Sequence, residues 1–199
     1  MNSFYEICAG KNNCDASTLE QTIQLAVEIA REGREGRKIG TLFVVSDKKA
    51  VLKRSRPLIL DPLYGHPEQR KRLCDQDVRE TVKELAQLDG AFIVSGDGVV
   101  VSAARYINAS SRRIDLPLGL GSRHVAAASI SRDTRAVAVV VSESAIVRVF
   151  NDGRLIAEII PEVWLFAQEA TKIKSPRLER TIGDVKIIAE TLEKYNPTN

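Results

Sequence analysis

Apolar positions near the start of the chain recur at helical spacing. Between residues 19 and 30 they repeat every three or four positions, which predicts an amphipathic helix that begins at Ser17. Ser17 and Glu20 have the spacing of a capping box, so Ser17 is the predicted N-cap. The glycine-containing stretch 33–36 interrupts the pattern and ends the predicted helix.

Shorter apolar runs, separated by turn residues, predict the strands of a sheet. The run 136–141 is apolar throughout and is typical of a central strand. Gly96-Asp97-Gly98 and Asn151-Asp152-Gly153 are strong hairpin-turn sequences. The predicted strands cover residues 41–45, 91–95, 99–103, 136–141, 146–150 and 155–160.

Further helices are predicted around these strands. One runs from about 68 to 88, with Cys74, Val78, Val82 and Leu85 as its inward stripe, after an irregular, proline-rich loop over 56–67.

A short helix is expected to begin near Ser122, and two helices end the chain, the second beginning at Ser175-Pro176. The pattern therefore predicts an α/β (α+β) fold, a single domain with a central mixed β-sheet flanked by helices.

Composition narrows the possible functions. The chain has 199 residues, a formal net charge of +3 and 5% aromatic residues, which argues against a nucleic-acid partner. Two histidines do not suffice for a multi-histidine zinc site, and the three cysteines follow no CxxC spacing. No signal peptide and no apolar stretch of membrane-spanning length is visible, so we expect a cytoplasmic protein without membrane contacts.

Three segments carry candidate chemistry. Asp89-Gly90-Ala91 places a carboxylate between a predicted helix and a predicted strand, although Asp-Gly is also a common turn. The segment 119–124 is a glycine-rich turn opening a helix and supplies backbone amides, a hydroxyl, a guanidinium and an imidazole, a phosphate-binding composition. A plain helix cap at Ser122 is the alternative. Ser142-Glu143 ends the central strand, where ligands collect in α/β sheets, or is merely a polar strand end.

In this order and spacing the segments resemble the catalytic (DAC) domain of diadenylate cyclases. That family carries a D-G-A motif, matched by Asp89-Gly90-Ala91, and a G-T-R-H-R motif, matched in part by Gly121-Ser122-Arg123-His124. A strand ending in V-S-E is matched at 141–143, and the resemblance covers roughly residues 40–160. Val125 replaces the second arginine of the motif, and Leu88 stands where membrane-anchored members have a histidine.

The resemblance implies a nucleotidyltransferase that condenses two ATP into 3′-5′ cyclic di-AMP and releases two pyrophosphates. It implies a divalent metal, Mn²⁺ or Mg²⁺, and a homo-oligomer in which two subunits face each other, each holding one ATP. It also implies an N-terminal helical extension over 1–36, a catalytic domain over 37–161, and C-terminal helices over 162–199 that pack on the same domain.

Site roles follow from the same resemblance. Asp89 would bind the metal and help to deprotonate the attacking hydroxyl, Glu143 would be a second metal ligand, and Gly90 and Ala91 would leave room for the ribose. Arg123 and His124 would also offset charge that develops in the transition state. The expected nucleotide-binding residues are Leu120, Gly121, Ser122, Arg123, His124 and Ser142.

Two other functions remain open from the sequence. A nucleotide-binding sensor without turnover would explain Val125 and Leu88, because both reduce the polar complement of the family motifs. An interaction module could be formed by the amphipathic segments 1–35 and 161–199, which are more typical of core cover or dimer contacts.

Overall fold

One mixed sheet organises the part of the chain that the structure describes. The structure is a computed structural model, and it describes residues 14–58, 60–109, 114, 116–161, 177–182 and 185–190. The helices are α1 Ala16–Glu32, α2 Lys48–Lys53, α3 Gln76–Leu85 and α4 Ser122–Asp133, with a 3₁₀ turn at Glu68–Arg70. The strands are β1 Thr41–Val45, β2 Ser55–Pro57, β3 Ala91–Val94, β4 Val100–Ile107, β5 Val137–Val141, β6 Val147–Asn151, β7 Arg154–Pro161, β8 Arg177–Ile182 and β9 Val185–Glu190.

The sheet is mixed, as the pattern predicts. Within the described residues its strand order is β2-β4-β3-β1-β5-β6-β7-β9-β8, and β1 and β3 pair in parallel while the other neighbours pair in antiparallel. Every residue of β1, β3 and β5 is buried, which explains their uninterrupted apolar runs. The prediction that 136–141 forms a central strand is confirmed.

Helices cover both faces of the sheet. Alternate side chains of one strand point to opposite faces, so Phe43 of β1 joins the core beneath α1, while Leu42 joins the core beneath α4. Leu19 and Ile23 of α1 lie in the same apolar cluster as Phe43. The helix at the start of the chain therefore packs on the sheet and contributes to its core.

The predicted capping box of this first helix is wrong. α1 begins at Ala16, and Asp15 is its N-cap, with its carbonyl oxygen accepting hydrogen bonds from the backbone amides of Thr18 and Leu19. Ser17 lies inside the helix and does not cap it. The helix ends at Glu32, before Gly33 at φ +60°, as the glycine-rich stretch predicts.

The predicted helix over 68–88 is also wrong in its extent. Residues 68–70 form a 3₁₀ turn, and α3 begins only at Gln76. Between them the Lys71 carbonyl accepts from the Val100 amide at 2.7 Å, and the Leu73 amide donates to the Gly98 carbonyl at 2.9 Å. Because these backbone groups pair with the β3–β4 hairpin, they cannot form helical hydrogen bonds.

The non-helical stretch before α3 changes which residues of the predicted apolar stripe are buried. Leu73 is fully buried, and Cys74, which the sequence pattern placed in the stripe, is exposed. Val78, Val82 and Leu85 do pack on the core beneath α1.

The helix predicted to begin at Ser175-Pro176 is wrong, since residues 177–182 form β8 and residues 185–190 form β9. β9 pairs with β7, with Ala157 opposite Ala189, so the free edge of β7 decides the conformation of this segment. The other predicted C-terminal helix falls on 162–174, outside the described residues. None of the helices in the described part of the chain is long and apolar enough to cross a bilayer.

Candidate active site

The sheet topology brings three separate segments to one edge. Because β1 is parallel to β3 and antiparallel to β5, the residues just before β1 and β3 lie beside the residues just after β5. Those residues are Gly40, Asp89 and Glu143. The N-terminus of α4 lies at the same edge and supplies Arg123.

Arg123 joins the three motifs that the sequence analysis identifies. Its Nη1 lies 3.0 Å from Oε1 of Glu143, and its Nη2 lies 3.3 Å from Oδ1 of Asp89. The side chains of Asp89 and Glu143 are 86% and 68% exposed, while that of Arg123 is 35% exposed. Two solvent-accessible carboxylates therefore face one partly sheltered guanidinium, an arrangement that a ligand can rearrange at small cost.

Gly40 provides the space in which Arg123 lies, although its sequence context alone does not mark it as a site residue. A Cβ atom at this position would lie 2.6 Å from Nη1 of Arg123 and 3.1 Å from Cγ of Glu143. Any side chain here would therefore displace the ion pair. The sequence signal is a glycine immediately before a buried strand, which by itself is too common to single out.

Gly90 lies close to the backbone of β4. It has φ +108°, and a Cβ there would lie 2.7 Å from backbone atoms of Ala104 and Arg105. β4 is irregular at this point, with Ala104 at φ +51° and a shifted register opposite β3. Gly90 thus allows the loop that carries Asp89 to pack on β4, while the side chain of Ala91 is buried in the core.

A cavity of about 550 Å³ opens beside Asp89. Its polar rim includes Asp89, Ser122 and Arg123. Tyr106 is half exposed at the cavity, with the Arg56 guanidinium 4.9 Å from its ring centroid. The apolar lining, which suits a flat heterocycle, comes from Leu42, Leu58, Ala91, Ile107, Ala109, Val125 and Ala126.

Arg105 lines the same cavity, but its guanidinium is engaged by the protein. Its Nε donates to Oγ of Ser55 at 2.9 Å, and its Nη2 donates to the Ser55 carbonyl at 2.8 Å. Nη1 lies 3.3 Å from Oγ of Ser102. Burial lowers the pKa of Arg105, opposed by the charge of Asp61. Arg105 therefore braces the cavity wall, and its guanidinium is already paired within the protein.

A second cavity, of about 220 Å³, lies on the other side of Arg123. Ser122 and Arg123 line both cavities. Gly121 is exposed, with nothing within 4 Å of a Cβ built there, so the backbone at the start of α4 is accessible to a ligand. The lining of this smaller cavity is Gly119, Gly121, Ser122, Arg123, His124, Val140, Val141, Ser142 and Glu143.

Two predicted nucleotide-binding residues differ in placement. Ser142 lines the smaller cavity, with its Oγ 2.8 Å from Oγ of Ser144. Leu120 is half-buried and belongs to the lining of neither of these two cavities, whereas Leu42 and Leu58 line the larger one.

His124 is more enclosed than its motif suggests. It is 6% exposed, and its Nε2 lies 3.3 Å from Nη1 of Arg148. Burial, together with the charges of Arg148 and Arg123, lowers the pKa of His124 to about 4, although the Gly121 backbone acts in the opposite direction. The imidazole is therefore neutral near pH 7, and Arg123 is the cation of this motif.

The donors at this edge fit a hard divalent cation. Asp89 and Glu143 offer exposed carboxylate oxygens on either side of Arg123, and oxygen is the ligand that Mg²⁺ and Mn²⁺ prefer. Within the described residues no group of three or more histidine, cysteine or acidic side chains could hold a metal by itself. Substrate oxygens would have to complete the coordination of a metal here.

A family model and two curated relatives match most of this chain. Residues 28–155 match the family model described as DisA bacterial checkpoint controller nucleotide-binding. A diadenylate cyclase of Methanocaldococcus jannaschii is 46% identical over 160 residues, covering 80% of this chain and 50% of that protein. A diadenylate cyclase of Haloferax volcanii is 38% identical over 161 residues, covering 80% of this chain and 58% of that protein. The matched part of this chain thus spans about half the length of these relatives.

The fold also has a solved counterpart. A crystal structure titled as a hypothetical membrane spanning protein from Bacillus cereus superimposes with a TM-score of 0.52 at 20% identity. The match covers 71% of this chain and 62% of that chain. At this identity the likeness concerns the fold alone.

Proposed function

This chain belongs to the DisA bacterial checkpoint controller nucleotide-binding family, and we propose that it is a cytoplasmic diadenylate cyclase. In this proposal two ATP molecules are converted into 3′-5′ cyclic di-AMP and two pyrophosphates. One observation carries the proposal: Arg123 gathers Asp89 and Glu143 at the point where the two cavities meet. A base-sized apolar cavity and a smaller polar cavity are thereby joined by the charged groups that phosphoryl transfer requires.

Each cavity suits a different part of ATP. The larger cavity, with Tyr106 and an apolar wall, takes the adenine and ribose. The smaller cavity takes the triphosphate, because Gly121 and Ser122 present the amides at the start of α4 and Ser142 adds a hydroxyl. Arg123 lines both cavities and can move from the two carboxylates to phosphate oxygens.

A divalent metal, Mn²⁺ or Mg²⁺, would be held by Asp89 and Glu143. When bound, it supplies a lower pKa for the attacking hydroxyl and neutralises phosphate charge. Asp89 is the more exposed of the two carboxylates and lines the larger cavity, which supports its proposed role as acceptor of the proton of the 3′-hydroxyl.

The bond changes then balance for each half of the reaction. The 3′-oxygen of one ATP forms a bond to the α-phosphorus of the other, the bond to the β-phosphate oxygen breaks, and pyrophosphate leaves. Arg123 and the amides at the start of α4 offset the charge that develops on the transferred phosphoryl group.

The reaction needs two nucleotides that face each other. The larger cavity, at about 550 Å³, has a size that suits one nucleotide-sized ligand. Two copies of the chain related by a two-fold axis would bring each 3′-hydroxyl to the other α-phosphorus. We therefore propose a homo-oligomer in which each chain supplies half of the productive site.

Asp89→Asn tests the proposal directly. Purified wild-type chain with ATP and Mn²⁺ or Mg²⁺ is expected to form cyclic di-AMP, measured by chromatography. The variant keeps the shape of the side chain but loses its charge, so we expect the product rate to fall at least about 100-fold. Asp133→Asn is the matched control, because Asp133 is exposed at the far end of α4 and pairs with the adjacent Arg132.

Thermal unfolding of both variants checks that the fold is kept. Product formation by Asp89→Asn at the wild-type rate would remove Asp89 from the mechanism. No product from the folded wild-type chain, with ATP bound, would instead favour a nucleotide sensor without turnover. The observation that favours this second candidate is Val125, whose apolar side chain lines the larger cavity where the family motif has an arginine.

A further inference from the structure

A buried ion pair lies behind His124, on strands that do not carry the family motifs. Nε of Arg148 in β6 lies 2.7 Å from Oε1 of Glu158 in β7, and these side chains are 5% and 0% exposed. Nη1 of Arg148 reaches Nε2 of His124 at 3.3 Å. A chain of contacts thus runs from the sheet interior to the first turn of α4.

An irregularity in the β6–β7 hairpin creates this pair. Asn151 pairs with Arg154 and Phe150 with Leu155, so a regular ladder would place Ala157 opposite Arg148. The register shifts between Val149 and Phe150, and Glu158 becomes the partner of Arg148. Because one extra residue reverses the face of every later side chain, the bulge turns Glu158 toward α4.

The Arg148–Glu158 ion pair is buried in an apolar part of the core. Val140 of β5 and Phe150 of β6 flank the pair on the α4 face of the sheet and belong to an apolar cluster there. Replacing a buried ion pair by apolar residues of similar size is often neutral or stabilising. Stability alone therefore does not account for a guanidinium and a carboxylate at these two positions.

The contact with Arg148 determines the protonation of His124. A guanidinium has hydrogen-bond donors and no acceptor, so Nε2 of His124 must accept, and the ring proton of the neutral imidazole is on Nδ1. Nδ1 is buried and has no hydrogen-bond partner among the described residues. His124 also lines the smaller cavity, and its Nδ1–H, which is flanked by the Gly121 backbone, becomes the ring group for a ligand there once the first turn of α4 shifts to expose it.

We propose that Arg148 and Glu158 are positioning residues, which hold His124 as a neutral Nδ1–H donor to a phosphate oxygen of the nucleotide. This inference rests on the proposed function and extends it to two residues outside the family motifs. Glu158 orients the Arg148 guanidinium, Arg148 fixes the ring and its tautomer, and His124 adds a neutral hydrogen bond beside the charge of Arg123.

Two variants separate positioning from simple stability. Arg148→Met/Glu158→Leu removes both charges together and leaves no unpaired buried ion, while Arg148→Lys keeps one donor. Arg79→Met/Glu28→Gln is the matched control, because it removes a partly buried ion pair between α1 and α3. Thermal unfolding of each variant establishes that it is folded.

The first measurement is the tautomer of His124 by ¹⁵N NMR of the histidine-labelled full chain. The chain has two histidines, so a His66→Gln background leaves His124 alone in the spectrum. We expect the Nδ1–H form in the wild type, in Arg148→Lys and in the control variant, and a mixture of tautomers in Arg148→Met/Glu158→Leu.

The second measurement is ATP turnover. We expect kcat of Arg148→Met/Glu158→Leu to fall about 10- to 100-fold, which is a smaller effect than the removal of a charge-stabilising donor itself. We expect Arg148→Lys to recover part of this loss and the control variant to keep the wild-type kcat. An Nε2–H tautomer in the wild type would overturn the proposal, and so would a folded double variant with wild-type kcat and KM.

Failure of the proposed function gives a different result. If the wild type forms no product, the inference is tested by adding ATP together with a chelator. The chemical shift of the Nδ1–H of His124 is then compared with and without ATP. A shift in the wild type that is lost in the double variant supports positioning of His124 toward phosphate. No shift on ATP binding overturns it.

Discussion

At the scale of single residues, Arg123 determines how the site is arranged. Its guanidinium bridges carboxylates that are 34 and 20 positions away in the sequence. Asp89 and Glu143 are mostly exposed, so each of these contacts adds little to the stability of the fold. The contacts instead hold the Arg123 guanidinium where the two cavities meet, and in the proposed function it exchanges carboxylate oxygens for phosphate oxygens.

Gly40→Ala is expected to disturb this arrangement without unfolding the chain. The added methyl would lie 2.6 Å from Nη1 of Arg123, and the guanidinium must move away from Glu143. The φ of Gly40 is not in the left-handed region, so alanine is compatible with the backbone. We expect a fall of about tenfold in kcat/KM for ATP, equivalent to ~1.4 kcal/mol, with a change in melting temperature of a few degrees at most.

A double-mutant cycle with Arg123→Ala checks the cause. If Gly40 acts through Arg123, the alanine at 40 will cost little once the guanidinium is gone. Additive losses in the double variant would mean that Gly40 affects the site by another route.

At the scale of elements, local backbone pairing determines where a helix begins and which face of the sheet a side chain occupies. α3 begins at Gln76 because residues 71–73 pair with the β3–β4 hairpin, and Asp75 then caps the shortened helix. The bulge in the β6–β7 hairpin similarly selects which face Glu158 occupies. In both cases one interrupted ladder changes the environment of several side chains.

Asp75→Ala tests the cap of α3. Oδ1 of Asp75 accepts a hydrogen bond from the Asp77 amide at 2.9 Å, and its loss leaves an amide of the first turn without a partner. We expect the free energy of unfolding, measured by urea denaturation, to fall by about 1 kcal/mol, with kcat unchanged. Asp133→Ala at the end of α4 is the comparison, and an equal loss there would show that capping is not the cause.

At the scale of the whole molecule, one chain presents its site at an edge of the sheet. Asp89 and Glu143 are open to solvent there, and both cavities open beside them. Within the described residues one copy offers one base-sized cavity next to these carboxylates. In the proposed function, formation of a cyclic dinucleotide from two ATP molecules would therefore need a second copy that faces the first.

If the chain has the proposed diadenylate cyclase activity, dilution is expected to lower its specific activity. If two facing chains form the productive site, the activity per chain should fall once the concentration drops below the dissociation constant of the assembly. Initial rates at saturating ATP, over about three orders of magnitude of enzyme concentration, should follow the association state measured by sedimentation velocity. Added Asp89→Asn chains should lower the wild-type rate further by forming mixed pairs. Constant specific activity from a monomer would contradict this arrangement.

The amino-acid sequence by itself determined the central strands, both hairpin turns and the start of α4. These features depend on local properties, namely apolar runs, turn residues and a glycine before a helix, which the chain displays without knowledge of its neighbours. The motifs at 89–91, 121–124 and 142–143 were predicted in the same way, and the structure brings Asp89, Arg123 and Glu143 together.

Only the tertiary structure decided what depends on contacts between distant segments. The pairing of β9 with β7 turned a predicted helix into strands, because a free sheet edge outweighs a weak helical pattern. The closeness of Gly40 to the Arg123 side chain is also visible only in the folded chain. So is the pairing of Arg148 with Glu158, which a bulge places opposite each other. Burial and register are properties of the folded chain, and they set both the neutral state of His124 and the surroundings of Arg123.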